Sequence, residues 1–98
     1  MRTYREYVSG RMADSDEALE YLKASLELYE TDKDLDAFLV AVRTVADARG
    51  GLSKIAKETN LNRQHLYRSL AKNGNPTIKT LDSILHTLGL KLSIEKAS

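Results

Sequence analysis

Cysteine and tryptophan are absent from this 98-residue chain, and proline and phenylalanine each occur once. Without cysteine, neither a disulfide framework nor a thiolate metal site can form, so the chain needs no oxidising compartment. No apolar run approaches the roughly 20 residues of a membrane span, and the first residues lack a signal-peptide pattern. These absences predict a cytoplasmic protein without a membrane contact, organised as one domain over residues 1–98.

Patterns that would support catalysis are also scarce. His65 and His86 are the two histidines, and no nucleophile motif, paired metal-ligand spacing or glycine-rich phosphate loop accompanies them. His86 falls in the last turn of a predicted helix, where the helix dipole favours a partly positive ring, so we interpret it as structural. The sequence therefore predicts a protein that is not an enzyme, with no cofactor and no metal site.

Charge is distributed unevenly along the chain, although the net charge is only +1. Residues 1–50 hold seven Lys or Arg and eleven Asp or Glu, a net −4, whereas residues 51–98 hold eight and three, a net +5. Chance partition of surface charge would also produce such a difference. We favour two surfaces with different partners, a basic one suited to phosphate and an acidic one suited to a basic protein.

The N-terminal part is predicted to consist of an arm, residues 1–13, and a helix over residues 14–30. Asp14 and Glu17 have the spacing of a capping box at the start of this helix. Almost opposite its main apolar stripe lies a second stripe, which a helix packed on one side does not need. The main stripe is Leu19, Leu22, Leu26 and Tyr29, and the second is Tyr21, Ala24 and Leu28.

The helices become short in the middle of the chain. A periodic helix from residue 35 is expected to end at Gly50-Gly51, and Ser53 to cap a short helix through residue 59. Asn60 can adopt positive φ in the following turn, and Asn62 can cap the next helix, which runs to about Lys72. Two short helices joined by a tight turn are typical of a helix-turn-helix motif.

The C-terminal part is predicted to hold a helix and a strand. Thr77 is expected to cap the helix and Gly89 to end it, with an apolar face of Ile78, Leu81, Ile84, Leu85 and Leu88. Residues 90–95 then alternate between apolar and polar side chains, which is the period of a β-strand. A lone strand is unstable in water and needs a partner.

Two partners for this strand remain open. Residues 2–8 of the arm could pair with it within one chain. Alternatively, the same segment of a second subunit could run antiparallel across a two-fold axis and bury Leu90, Leu92 and Ile94. We favour the second, because a homodimer places two recognition helices on half-sites about 34 Å apart.

Three stretches together resemble a known family: the acidic helix DEALEYLKASLE, then ARGGLSKIAKETNLNRQHLYRSL, then GNPTIKTLDSILHTLGLKLSIE. Residues 34–90 resemble the phage-repressor type of helix-turn-helix domain, and residues 14–96 resemble the addiction-module antidote proteins, which are antitoxins. Two residues depart from the phage-repressor pattern: Asn60 stands where these repressors usually carry glycine, and Ser69 stands where many of them carry a large apolar residue.

The residue patterns and this resemblance together predict an all-α fold: a phage-repressor-like helix-turn-helix domain with an N-terminal helical extension and a short C-terminal β-strand. The resemblance also implies a sequence-specific antitoxin that binds its own operator, a double-stranded DNA, as a homodimer and represses its own operon. The other implied partner is a cognate small toxin of the ribonuclease-like type.

The second short helix is the predicted recognition helix. Leu66 and Leu70 define its inward face, so Gln64 and Arg68 point away, with His65 on the same side, although any helix carries such a polar face. Gln can pair with adenine and Arg with guanine in the major groove. Phosphate contacts are expected near helix N-termini and from nearby cations; the candidates are Ser53, Lys54, Asn62, Arg63, Lys72, Thr77 and Lys79. Tyr67 is equally compatible with the core edge and with a DNA contact.

The second stripe of the N-terminal helix is the predicted toxin contact, through Tyr21, Leu28 and the nearby carboxylates of Glu20 and Glu27. An equally weighted alternative is that the arm covers this stripe. Two other functions also remain open at this point: a prophage transcriptional regulator without a toxin, and a toxin-inhibiting interaction module whose helix-turn-helix is vestigial.

Overall fold

The structure is a computed structural model, and it describes residues 14–97. These residues form five helices: α1 (Ser15–Asp32), α2 (Leu35–Ala48), α3 (Gly51–Thr59), α4 (Arg63–Ser69) and α5 (Ile78–Thr87). The arm predicted over residues 1–13 lies outside the described residues. None of the helices within residues 14–97 is both long enough and apolar enough to cross a membrane.

Local hydrogen bonds fix the starts of three helices as the sequence predicts. The Asp14 carboxylate accepts from the backbone N–H groups of Asp16 and Glu17, at 2.9 and 3.1 Å. Asn62 Oδ1 accepts from the His65 N–H at 3.0 Å, and Thr77 Oγ1 accepts from the Thr80 N–H at 3.1 Å. Each cap satisfies backbone donors that the first helical turn leaves free.

The predicted Ser53 cap is wrong. Helix α3 begins at Gly51, and its N-cap is Gly50, which makes no side-chain hydrogen bond and has a φ of 106°. Gly50 and Gly51 both adopt positive φ, so the glycine pair bends the chain from α2 directly into α3. Ser53 therefore lies inside the first turn of α3, three residues after the N-cap position.

The core lies between α2 and the three shorter helices. Helix α3 contacts α2, α4 and α5, whereas α1 packs on α2. Arg49, which follows α2, donates a hydrogen bond to the Leu88 carbonyl oxygen at 3.2 Å and so ties the end of α2 to the end of α5. The largest fully buried side chains are Leu39, Val42, Val45, Ile55, Leu66, Leu70, Ile84 and Leu88.

The prediction of which face of α1 packs against the core is partly wrong. Leu22 is buried as expected, but Leu19 and Leu26 are exposed, and the other buried residues of this helix are Ala18 and Ser25. Small side chains let two helices approach closely, and the Ser25 hydroxyl is satisfied by donating to the Tyr21 carbonyl at 2.9 Å. The buried stripe is therefore rotated from the leucine stripe towards the small residues.

The joint between α3 and α4 is a short turn of residues 60–62. Asn60 has the expected left-handed conformation, with φ 60°. The Thr59 hydroxyl donates to the Ile55 carbonyl at 2.7 Å and accepts from the Leu61 N–H at 3.3 Å. Leu61 packs against the core, and Leu66 and Leu70 are fully buried, as predicted. The buried leucines hold α4 against the rest of the domain.

Helix α4 ends earlier than predicted, at Ser69 rather than near Lys72. The Ser69 hydroxyl donates to the Leu66 carbonyl at 3.0 Å, and such a bond competes with helical backbone pairing. The chain after the helix is held by the Asp36 carboxylate, which accepts from the Asn73 N–H at 2.9 Å. Lys72 therefore lies in a connection tied to the start of α2.

The predicted C-terminal β-strand is absent: residues 14–97 contain no strand, and residues 90–97 have no regular structure. The Leu90 N–H instead bonds the Leu85 carbonyl at 2.8 Å, and its side chain packs on the core. Leu92 and Ile94 are exposed, Ile94 by 97%. Alternating side chains cannot make a strand without a neighbouring strand to bond its backbone. The predicted dimer strand of Leu90, Leu92 and Ile94 is therefore corrected to a segment without regular secondary structure.

The predicted apolar face of α5 is wrong at one residue. Ile78 is 77% exposed, because it is the first residue of the helix and projects beyond the core. Ile84, Leu85 and Leu88 are buried as predicted, and Leu81 is partly buried.

Candidate nucleic-acid interface

The polar side of α4 is exposed over its whole length. Gln64 and Arg68 are both exposed, one helical turn apart, opposite the buried Leu66 and Leu70. Four side chains line one shallow, open depression on this surface: Arg63, Gln64, Tyr67 and Arg68. The structure therefore brings two predicted base-contact residues together with one predicted phosphate-contact residue and a tyrosine.

Tyr67 lies on the surface rather than in the core. Its side chain is 45% exposed, and the Arg63 guanidinium lies over its ring at 5.3 Å from the ring centre. This is the geometry of a cation–π contact between residues one turn apart on α4. The sequence offered two equal interpretations of Tyr67, because a tyrosine at the flank of a helix can turn either way.

His65 is exposed beside this depression but does not line it. Its backbone N–H is the donor to the Asn62 cap, so the residue belongs to the first turn of α4. Asn62 uses its side-chain oxygen for the same bond. Both residues are therefore at the N-terminal end of the exposed face.

The remaining predicted phosphate contacts lie on three elements. Ser53 and Lys54 are exposed on α3, Lys72 is exposed after α4, and Lys79 is exposed in the first turn of α5. The Thr77 hydroxyl caps α5 and also lies 3.1 Å from the Thr80 hydroxyl, so it already has two partners within the protein. The lysines are consequently better placed than Thr77 to reach a phosphate.

Helix α1 carries the opposite charge. It contains six Asp or Glu residues and one lysine, and Glu20 and Glu27 are exposed on its outer side. Tyr21 and Leu28 are exposed on one flank, where Leu28 is 57% exposed. The opposite flank carries Leu19 and Leu26, which are exposed. The sequence predicted that they face inwards, because their spacing puts them on one apolar stripe with Leu22.

His86 has a partner of its own on the surface of α5. Its Nε2 lies 3.2 Å from an Asp82 carboxylate oxygen, and both side chains are substantially exposed. The two residues are one helical turn apart, which is the usual spacing of a surface pair.

The fold and this surface define a small helical protein with a cationic, exposed short helix and an acidic N-terminal helix. A sequence model described as "Probable addiction module antidote protein" matches residues 4–96, and the chain belongs to this family. The resemblance to antidote proteins drawn from the sequence is thereby confirmed. Membership implies an antitoxin role with a cognate toxin as its partner.

A relative from Haemophilus influenzae is 27% identical over 90 residues, covering 92% of this chain and 88% of the relative. It is described only as an uncharacterized protein. No solved structure matches the chain.

Proposed function

We propose that this antitoxin binds DNA in a sequence-specific manner, represses its own operon and neutralises its cognate toxin. Helices α3 and α4 with their three-residue turn act as the helix-turn-helix, and α4 enters the major groove. One observation carries the DNA-binding proposal: Arg63, Gln64, Tyr67 and Arg68 share one exposed surface of α4, while Leu66 behind them is fully buried.

The chemistry of these side chains suits base edges. Glutamine pairs with adenine through N6 and N7, and arginine pairs with guanine through O6 and N7. The cap at Asn62 and the buried Leu66 hold α4 in one orientation, so the two side chains are presented from a fixed support.

Two copies of the chain are needed for a useful operator complex. Helix α4 has only seven residues, so one copy offers few base contacts. A homodimer reads two half-sites about one DNA turn apart, which multiplies discrimination. We therefore expect two chains on each operator duplex, without a shared β-strand between them.

Gln64→Ala and Arg68→Ala are each expected to weaken operator binding far more than binding to random DNA, by about 1–3 kcal/mol of discrimination for each lost base contact. Titration of both duplexes at several salt concentrations measures this loss and the stoichiometry. The matched controls are Lys54→Ala and Lys79→Ala, which should weaken both duplexes alike and reduce the salt dependence. Equal losses on both duplexes for all four variants would place a different surface in the groove.

The toxin contact is proposed on α1, at Tyr21, Leu28, Glu20 and Glu27. Exposed apolar side chains beside carboxylates fit a basic partner with an apolar patch. The alternative cover for this stripe, the arm, lies outside the described residues. Removal of residues 1–30 would be a poor test, because Ala18 and Leu22 are buried in the core and their loss would destabilise the domain.

Leu28→Ala is expected to weaken toxin binding by more than about 1 kcal/mol, because truncation to alanine of a residue that contributes strongly to an interface costs at least that much binding free energy. Leu26→Ala is the control, since Leu26 is 45% exposed on the opposite flank of the same helix. Calorimetric titration of purified toxin into each variant provides the measurement. A Leu28→Ala variant that binds as tightly as the unmodified protein would remove this flank from the toxin interface.

A further inference from the structure

Tyr67 presents an exposed aromatic ring on the surface that also carries Gln64 and Arg68. Exposure of an aromatic ring to water is unfavourable. Leu66, which is fully buried, shows that α4 can place an apolar side chain in the core. Tyr67 is not among the buried core residues, and the Arg63 guanidinium lies over one face of its ring, 5.3 Å from the ring centre. Tyr67 is 45% exposed, so part of the ring remains open to a ligand.

The major groove offers one apolar group to such a ring. Guanine, cytosine and adenine present only donors and acceptors there, whereas thymine also presents its C5-methyl group. A tyrosine ring on the same surface as Gln64 and Arg68 therefore has a natural partner in a thymine next to the bases that those residues are proposed to read.

The stacked arginine adds a second consequence. A free arginine side chain loses considerable rotamer entropy when it is fixed by a ligand. The Tyr67 ring already holds the Arg63 guanidinium near the groove-facing surface, and a guanidinium stacked on a ring keeps its N–H edge free to donate.

We propose that Tyr67 is a specificity-determining residue: its ring contacts the C5-methyl group of a thymine in each half-site, and it positions Arg63 for a contact beside that thymine. This inference rests on the proposed DNA-binding function. It assigns to Tyr67 a role that the hydrogen-bonding side chains of α4 cannot perform.

The test uses the full-length protein and duplexes that it enriches from a random-sequence pool. Each thymine of the enriched site is replaced in turn by uracil, which removes only the methyl group. In the unmodified protein, at least one replacement in each half-site should weaken binding about fourfold, as expected for loss of one buried methyl group. Tyr67→Ala should lose this response, so that thymine and uracil duplexes bind equally.

Tyr67→Phe is the matched variant, because it keeps the ring and removes only the hydroxyl. It should retain the uracil response. Tyr67→Leu removes the stacking but keeps apolar bulk, and its effect should overlap with that of Arg63→Ala, so that the double variant loses less affinity than the product of the single losses. Since Tyr67 is on the surface, we expect all of these variants to unfold at temperatures close to that of the unmodified protein.

The outcomes separate this inference from the function on which it rests. A uracil response that persists unchanged in Tyr67→Ala overturns the thymine contact, and independent losses for Tyr67→Leu and Arg63→Ala overturn the positioning of Arg63. In both cases the losses at Gln64 and Arg68 would still support specific DNA binding. If the protein enriches no sequence at all, the proposed DNA binding fails and this inference fails with it.

Discussion

Replacement of Leu66 by alanine is expected to lower the free energy of unfolding by about 2–5 kcal/mol. Leu66 is 0% exposed and lies in α4, in the same core as Ile55 and Leu70. The substitution removes apolar surface from the core and leaves a cavity beside a seven-residue helix. Since a domain of this size is stable by only about 5–15 kcal/mol, the loss is a large part of the total.

Ile78→Ala provides the control for this prediction. It removes a side chain of the same volume, but Ile78 is 77% exposed, so the change should stay within about 0.5 kcal/mol. Urea denaturation followed by circular dichroism measures both variants. A Leu66→Ala protein as stable as Ile78→Ala would mean that α4 is not anchored by its buried face, and the proposed presentation of Gln64 and Arg68 would lose its support.

Helix starts could be predicted from the sequence because a cap depends on residues two or three positions apart. Asp14, Asn62 and Thr77 each bond an N–H within their own first turn, so no distant contact is needed to explain them. Ser53 has the same chemistry but does not cap, because the glycines before it let the helix start earlier. Backbone freedom at glycine therefore overrides a good capping residue.

The inward face of α4 was predictable for a similar reason. Leu66 and Leu70 are the large aliphatic residues of that short segment and lie one turn apart, so they define a single face. Helix α1 offers several leucines at different angles, and hydrophobicity alone could not choose among them. Ala18 and Ser25 decide its orientation through close packing on α2, which depends on size and on the partner helix.

The C-terminal strand shows a different limit of sequence reasoning. Alternation describes one segment, whereas a strand requires hydrogen bonds from a second segment. Leu90 is instead fixed by the end of α5 through its bond to Leu85, a contact five residues away that period-two patterning does not register. The stacking of Arg63 on Tyr67 was similarly hidden, because spacing permits this contact without favouring it over burial of the ring.

Gly74→Ala is expected to destabilise the protein by about 1–3 kcal/mol, as overpacking typically does. A Cβ atom at this position would lie 2.3 Å from the Ser69 carbonyl oxygen and 2.7 Å from that of Ala71. Both are backbone atoms, so a side-chain rotation cannot relieve the clash. The chain between α4 and α5 must shift, although the Asp36 carboxylate holds it through the Asn73 N–H at 2.9 Å.

The same shift is expected to reach the proposed DNA-binding surface, because Ser69 is the last residue of α4. Gly74→Ala should therefore weaken operator binding even at temperatures where the variant is fully folded. Asn75→Ala is the neighbouring control: Asn75 is exposed, and its replacement should change stability by less than about 0.5 kcal/mol and leave the affinity unchanged. Denaturant unfolding and operator titration on the two variants give both readouts. If Gly74→Ala unfolds and binds like Asn75→Ala, the connection after α4 is free to move, and the orientation of α4, the proposed recognition helix, does not depend on it.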